Sequence, residues 1–227
     1  MIRVTENLAL IIDLLAKSAI EADRKQNSVL LLAVSKKQPL AKILAAREAG
    51  QRDFGENFVQ EGLEKIEQTR GLGLIWHFIG HLQNNKTRVV AENFDWVHTI
   101  DKLKTARRLS EQRPEALGPL NICLQVNIDG EDDKSGIAAQ ELPELAAACA
   151  ELPNLALRGL MCLPAVRDEL LAQREPFAKL RALAEDLRAA GIDTDTLSMG
   201  MSGDYRAAIL EGATIVRIGT ALFGERK

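Results

Sequence analysis

Apolar runs of strand length alternate along this chain with longer segments of helical periodicity. In the first cycle, residues 28–35 are SVLLLAVS and residues 39–50 are PLAKILAAREAG. A proline near the start and a glycine just past the end are typical of a helix. The same alternation continues to the C-terminus. The pattern predicts strands over residues 28–35, 52–57, 74–80, 96–100, 120–128, 155–163, 195–200 and 214–219.

Eight strands with continuous apolar character indicate a parallel sheet that is covered on both faces. Helices are predicted over residues 39–50, 58–69, 84–94, 102–113, 138–152, 168–190 and 204–212, with a closing turn at 220–224 and one extra helix before the first strand. This order predicts the α/β class, as a single (β/α)8 TIM barrel with an extra N-terminal helix. A doubly wound open sheet has the same alternation, so the strand count alone does not exclude it. No linker divides the chain, and residues 1–227 are predicted to form one domain.

Composition and charge narrow the classes of function. With 29 basic and 32 acidic residues the net charge is −3, which predicts no nucleic-acid-binding surface. Cys123, Cys149 and Cys162 are odd in number and lack CxxC spacing, which favours reduced thiols. Residues 2–20 have helical spacing but are interrupted by charges, so they predict an amphipathic helix rather than a signal peptide or a membrane span. We therefore expect a soluble, cytoplasmic protein with no membrane partner.

Chemistry-bearing side chains collect where the predicted strands end, which is where barrels place their sites. The first strand runs into Lys36 and the second into Glu56 and Asn57; the seventh leads into SMGMSGD and the eighth into RIGTALFG. Loops after the seventh and eighth strands of barrels often bind phosphate, because glycines allow close approach and hydroxyls such as Ser202 and Thr220 donate. Ordinary turns and a solvated lysine would give the same residues, so both interpretations stay open at this point.

Other candidate motifs are weaker. His77 and His81 are four residues apart, but they flank a strand end and no Glu or Cys completes a zinc set, so no metal site is predicted. The glycines of GLGLIW precede a strand, whereas those of a dinucleotide-binding motif follow one. Lys134 follows the fifth strand and is expected on a loop at the same end of the barrel as the other candidates. Its neighbours Asp132 and Asp133 would favour its charged form.

Several motifs together are more specific than any one of them. The segments AVSK, FGENFVQE, WHFIGHLQNNK, VHTID, LQVNI followed by KSG, RGLM, LSMGMSGD and VRIGTALFG resemble, in order and spacing, those of the pyridoxal phosphate homeostasis proteins. The resemblance extends from about residue 30 to residue 224. It implies the barrel found in alanine racemase and bacterial-type ornithine decarboxylase, with pyridoxal 5'-phosphate (PLP) as cofactor. Within FGENFVQE, Asn57 would line the cofactor ring.

The resemblance also implies roles for individual residues. Lys36 would hold PLP as a Schiff base, which needs an amine that can lose its proton; burial lowers the pKa of a lysine. Ser202, Gly219 and Thr220 would bind the phosphate, and Arg217 would face the pyridine nitrogen. The full set of implied cofactor-binding residues is Lys36, Asn57, Met199, Ser202, Arg217, Gly219 and Thr220.

The expected function is PLP homeostasis without catalysis. Racemases that share this barrel add a second, β-rich domain with a catalytic tyrosine; we expect no such domain here, and the only tyrosine is Tyr205. Arg217 stays protonated, so the ring nitrogen facing it would stay unprotonated and the ring would be a weaker electron sink. We expect a monomer that binds PLP and releases it to apo-enzymes. The alternatives are a slow amino-acid racemase and a barrel for another phosphorylated metabolite.

Overall fold

Eight parallel strands close into a barrel in a computed structural model that describes residues 3–131 and 134–225. The strands are β1 (Leu30–Val34), β2 (Asp53–Glu56), β3 (Ile75–Phe78), β4 (Trp96–Ile100), β5 (Leu120–Val126), β6 (Leu155–Cys162), β7 (Thr196–Ser198) and β8 (Ile215–Ile218). Each strand pairs with its neighbours in the chain, and β1 pairs with β8 to close the ring. The predicted (β/α)8 barrel is therefore confirmed, and the open sheet is excluded.

Helices follow the strands on the outside of the barrel. They are α1 (Arg3–Glu21), α2 (Leu40–Glu48), α3 (Val59–Gln68), α4 (Thr87–Asn93), α5 (Leu103–Gln112), α6 (Leu142–Ala150), α7 (Leu170–Ala189), α8 (Tyr205–Leu210) and α9 (Thr220–Phe223). The helices predicted from residues 84 and 138 begin instead with the 3-10 turns Asn84–Lys86 and Ala139–Glu141. In α6, Pro143 stands in the first helical turn, where its missing N–H costs no hydrogen bond.

The alternation of side chains along each strand separates the barrel interior from the layer beneath the helices. In β3, His77 points into the interior, where it contacts His98 of β4. Phe78, the next residue, points outward and packs edge-on against Phe94, with the ring centroids 5.5 Å apart. Continuous apolar strands therefore build the outer layer of the core, while a few polar residues reach the interior.

The extra N-terminal helix is confirmed and packs against α8 and α9. Its buried face is formed by residues three or four positions apart, namely Val4, Leu8, Ile11, Leu15 and Ala19. The Asn7 amide donates to the carbonyl oxygen of Leu222 at 3.0 Å and so joins α1 to the end of the chain. No helix in the described ranges has the length and apolar character needed to cross a membrane.

Closure of the barrel brings the beginning and the end of the chain together. In the β1–β8 register, Leu32 lies opposite Arg217 and Ala33 opposite Ile218. The turn that follows β1 therefore lies beside the turn that follows β8. These two turns carry Lys36 and Thr220, which the sequence analysis assigned to one site.

Candidate functional site

A cavity of about 400 Å³ opens at the carboxyl ends of the strands. Its wall includes six of the seven residues predicted to bind the cofactor, namely Lys36, Asn57, Ser202, Arg217, Gly219 and Thr220. They come from the turns after β1, β2, β7 and β8 and from β8 itself. The shared strand edge of a parallel barrel thus brings together side chains that are distant in sequence.

Met199 is the exception, because it does not line this cavity. Its backbone N–H donates to the carbonyl of Ile215 at 3.1 Å, so the extended pairing continues past Ser198. Since Ser198 points into the barrel interior, the alternation turns Met199 outward into the hydrophobic core, where it is fully buried. Met201, two residues later, lines the cavity instead. A role for Met199 toward a cofactor stays a prediction.

Lys36 lies in a turn that is fixed on both sides. The carbonyl of Ser35 accepts a hydrogen bond from Lys65 Nζ at 2.7 Å. The backbone N–H of Lys37 donates to Glu61 Oε1 at 2.5 Å, and its φ of 58° lies in the left-handed region that few non-glycine residues adopt. These bonds hold the backbone before and after Lys36, so the direction in which the lysine leaves the strand is set by α3.

Beneath this turn, Glu56 forms a buried ion pair. Its Oε1 accepts from Ser35 Oγ at 2.6 Å and from Lys65 Nζ at 2.7 Å. Its Oε2 is buried without a hydrogen-bond partner among the described residues. Burial raises the pKa of Glu56, and the hydrogen bonds from Lys65 and Ser35 oppose that rise. The pair links β1, β2 and α3 directly below the lysine turn.

Arg217 is buried in the floor of the cavity. Its Nη1 donates to the carbonyl of Ser198 at 2.5 Å and to Ser198 Oγ at 2.8 Å, and its Nη2 donates to the carbonyl of Cys162 at 2.8 Å. Burial lowers the pKa of Arg217, whereas the nearby Cys162, Asp204 and Cys123 act to raise it. A guanidinium nevertheless stays protonated in proteins and offers five N–H groups. Three hydrogen bonds therefore hold a cationic donor in place at the cavity.

Arg217 is the first member of a buried polar chain, which we define as Arg217, Ser198, His98, His77 and Asp53. His98 Nδ1 is 2.8 Å from Ser198 Oγ, and His98 Nε2 is 2.9 Å from His77 Nδ1. His77 Nε2 is 3.0 Å from Asp53 Oδ1. The buried polar chain crosses the barrel interior from the carboxyl end of β7 to the amino end of β2.

Burial keeps both imidazoles of the buried polar chain neutral. The pKa of His98 falls well below its ordinary 6.5, mainly through burial and further through the nearby His77 and Arg217. Burial also lowers the pKa of His77, although Asp53 and Asp95 oppose the shift. A histidine that is neutral in the folded state and free to protonate in the unfolded state makes stability depend on pH.

We expect acid to destabilise the fold through these histidines. Because the pKa values of His77 and His98 are lower in the folded than in the unfolded state, their contribution to stability is fully present above about pH 6.5. It is lost as the pH falls toward the lower, folded-state pKa values. Urea unfolding of His98→Gln between pH 7 and pH 5 should show a shallower pH dependence than the unaltered protein. Equal slopes would contradict the prediction; the raised pKa of Glu56 acts in the opposite direction in both proteins.

Asn57 offers the cavity an acceptor that the protein does not use. Its Oδ1 is buried without a hydrogen-bond partner among the described residues, which is uncommon for a buried polar atom. Gly80 lies directly against its backbone, because a Cβ at Gly80 would be 2.0 Å from the carbonyl oxygen of Asn57. Only glycine fits there, so the Asn57 turn is held close to β3. The unused oxygen indicates a ligand donor at this wall.

The opposite wall consists of the turns after β7 and β8. Ser202 and Thr220 are exposed there, and both residues belong to the cavity wall. Asp204 fixes the loop that follows β7. Its Oδ1 accepts a hydrogen bond from the backbone N–H of Met201 at 2.6 Å. Gly219 packs against β1, with its missing Cβ 3.1 Å from the carbonyl oxygen of Val34. These hydroxyls and the small residue suit an anionic group at the mouth of the barrel.

Lys134 lines a second cavity of about 500 Å³ beside the first. Asn57 belongs to both walls, so the two cavities adjoin. Lys134 Nζ forms an ion pair with Glu131 at 2.8 Å. The predicted effect of Asp132 and Asp133 lies outside the described residues. The expectation that Lys134 lies at the same end of the barrel as Lys36 is confirmed.

The structure offers no thiol or metal chemistry at this site within its described residues. The thiols of Cys123, Cys149 and Cys162 are buried and unpaired, and burial raises the pKa of each to about 12. Such thiols are poor nucleophiles. No group of three or more potential metal ligands occurs among the described side chains. Lys36 brings a primary amine to the cavity wall, and its role as nucleophile stays a prediction.

Sequence reasoning missed three contributors, namely Lys65, His98 and Asp53. His98 could have been found, since a polar residue inside the apolar strand WVHTI must meet a buried partner. Lys65 follows Glu61 by four residues on α3, which is the spacing of an ordinary surface ion pair. Nothing in the sequence shows that this lysine is buried.

Comparisons with known proteins agree with this geometry. The family model described as alanine racemase, N-terminal domain, matches residues 19–227. A pyridoxal phosphate homeostasis protein of Pseudomonas aeruginosa is 55% identical over 226 residues, covering 100% of this chain and 97% of that protein. The structure of PipY of Synechococcus elongatus with PLP bound is 36% identical, with a TM-score of 0.84 over 97% of this chain and 100% of PipY. Alanine racemase from Corynebacterium glutamicum, 17% identical with a TM-score of 0.68, shares the fold.

Proposed function

This chain belongs to the pyridoxal phosphate homeostasis proteins, which are built on the alanine racemase N-terminal domain, and we propose that it binds PLP and releases it to client enzymes. The observation that carries the proposal is the cavity in which Lys36, Arg217 and Thr220 meet. An aldehyde, a pyridine ring and a phosphate need an amine, a ring contact and anion-binding donors. The cavity offers one of each.

Lys36 supplies the covalent bond in this proposal. Its amine, once deprotonated, would hold PLP through a C=N bond to the former aldehyde carbon, with the aldehyde oxygen released as water. The side chains of Lys65 and Glu61 form hydrogen bonds to the backbone on either side of Lys36 and so fix the turn. The amine therefore reaches the cavity from a defined direction. Asn57 Oδ1 can accept a hydrogen bond from the ligand, and Ser202 and Thr220 can donate to the phosphate.

We propose that the protein carries PLP without catalysing a reaction of its own. Racemisation needs a proton donor and acceptor on each face of the substrate carbon. Tyr205, the only tyrosine, begins α8 and is not part of the cavity wall. The cationic Arg217 would leave the ring nitrogen unprotonated and the ring a weak electron sink. Chiral analysis after incubation with L-amino acids distinguishes this proposal from a slow racemase.

The same proposal includes a single domain that acts as a monomer in the cytoplasm. The one closed barrel that the described residues form supports the single domain. Apo-enzymes that require PLP are the proposed acceptors.

Release should depend on Lys134, a second amine beside the cavity. During hand-over its Nζ would form a C=N bond to PLP while the Lys36 amine leaves, and the acceptor enzyme would take PLP in the same way. We expect Lys134→Ala to load PLP normally but to transfer it more slowly to an apo-transaminase. The rate is followed by the recovery of acceptor activity.

Lys102→Ala is the matched control for this experiment. Lys102 is an exposed lysine that follows β4 at the same end of the barrel, but it belongs to neither cavity wall. Its variant should transfer PLP at the original rate. Equal transfer rates for Lys134→Ala and Lys102→Ala would remove Lys134 from the mechanism.

A further inference from the structure

The buried polar chain joins the two ends of the barrel. Arg217 lines the cavity at the carboxyl ends of the strands, whereas Asp53 lines a groove of about 860 Å³ beneath α1 at their amino ends. Ser198 and the two imidazoles between them are almost completely buried. Barrel interiors are usually filled with branched apolar side chains, so a connected polar row through this one calls for an explanation.

The chemistry of the two ends fixes the direction of every hydrogen bond in the buried polar chain. Arg217 can only donate, so Ser198 Oγ accepts from it. At the other end the Asp53 carboxylate only accepts, so His77 carries its proton on Nε2. His77 Nδ1 then accepts from Nε2–H of His98, which leaves His98 Nδ1 to accept the hydrogen of the Ser198 hydroxyl. All four bonds run from Arg217 toward Asp53, and no donor or acceptor is left over along that path.

A reversed arrangement is not available. It would require the Asp53 carboxylate to donate a hydrogen bond to His77, which an ionised carboxylate cannot do. Protonating His77 would place two donors against each other between His77 and His98, and protonating His98 would leave the hydrogen of Ser198 without its acceptor. The buried polar chain therefore has one stable proton arrangement, with Arg217 cationic and both histidines neutral.

We propose that Ser198 and His98, backed by His77 and Asp53, are positioning residues that hold Arg217 as a fixed donor to the ring nitrogen of PLP. The inference rests on the proposed function, because it specifies how that same cavity keeps the bound ring unprotonated. Without the Ser198 hydroxyl, Arg217 keeps only the carbonyl oxygens of Ser198 and Cys162. The guanidinium can then swing from the ring, and the ring nitrogen becomes free to take up a proton from solvent.

The decisive measurement is the ¹⁵N chemical shift of the ring nitrogen in ¹⁵N-labelled PLP bound to the protein at pH 7. We expect an unprotonated, hydrogen-bonded nitrogen in the unaltered protein. Ser198→Ala and His98→Leu should shift the signal toward the protonated value. His98→Gln, whose amide can accept from Ser198 and donate to His77, should restore the original shift.

Thr196→Val is the matched control, because Thr196 is a buried hydroxyl on the same strand that bonds to Asp195 outside the buried polar chain. It should leave the signal unchanged even if it lowers stability. An unchanged ring-nitrogen signal in both Ser198→Ala and His98→Leu would overturn the inference. Failure of the unaltered protein to bind PLP would instead overturn the proposed function, and this inference with it.

A second readout needs no cofactor and covers variants that fail to fold. ¹⁵N-histidine spectra of the PLP-free, unaltered protein should show His77 and His98 neutral, each with its proton on Nε2. A proton on Nδ1 of either ring would contradict the single direction of hydrogen bonding and overturn the inference.

Discussion

Lys36→Ala should remove most of the Schiff-base absorption band of PLP. Without the Lys36 amine no C=N bond can form at the end of β1. Adding PLP to the variant should therefore produce little of the Schiff-base absorption band. The fold should survive, because Lys36 lies in a turn outside the hydrophobic core and the turn is fixed by Lys65 and Glu61. Absorption spectra after addition of PLP and thermal unfolding curves measure both effects.

Lys37→Ala is the matched control, because it removes a lysine from the neighbouring position. Lys37 is exposed, and its hydrogen bond to Glu61 comes from the backbone N–H, which alanine retains. This variant should keep the Schiff-base band. A band that persists in Lys36→Ala and disappears in Lys37→Ala would show that the wrong lysine has been assigned.

Substitutions of Ser202 and Thr220, the residues proposed to bind the phosphate, should have the second largest effect on PLP binding. Ser202→Ala and Thr220→Val each remove a hydroxyl that would donate to a charged phosphate, a bond that contributes roughly 1.5–3 kcal/mol. Each variant should therefore bind PLP about tenfold or more weakly. Equilibrium dissociation constants for PLP, measured by absorption titration, check this.

Pyridoxal provides the control for that titration, since it has the aldehyde and the ring but no phosphate. Its affinity should be similar in the unaltered protein and in both variants. If Ser202→Ala and Thr220→Val bind PLP as tightly as the unaltered protein, the phosphate lies at another wall of the barrel.

The barrel could be predicted because its signal is local. Each apolar run such as LLLAV spans one strand, and helical periodicity follows it. Parallel strands share one edge, so the residues that follow them meet whatever their distance in sequence. This is why Lys36 and Thr220 could be assigned to one site. The pairing of β1 with β8, which closes the barrel and excludes an open sheet, joins residues far apart in sequence. The periodicity of apolar residues carries no information about such a contact.

Contacts that depend on register could not be predicted. Whether Ser198 or Met199 faces the interior depends on where β7 begins its alternation, and a shift of one residue exchanges the two. The hydrogen bond between His98 and Ser198 joins residues 100 positions apart in sequence, across the barrel interior. Lys65 becomes buried only because α3 packs over the end of β1, and its bond to the Ser35 carbonyl is equally non-local.

The central claim is that Lys36 is the residue that holds PLP, and reductive trapping tests it most directly. Borohydride reduces the C=N bond of the PLP-loaded protein to a stable amine, and peptide mapping by mass spectrometry then locates the modified lysine. The account predicts one dominant adduct, on Lys36. A dominant adduct on any other lysine, Lys134 included, would contradict it.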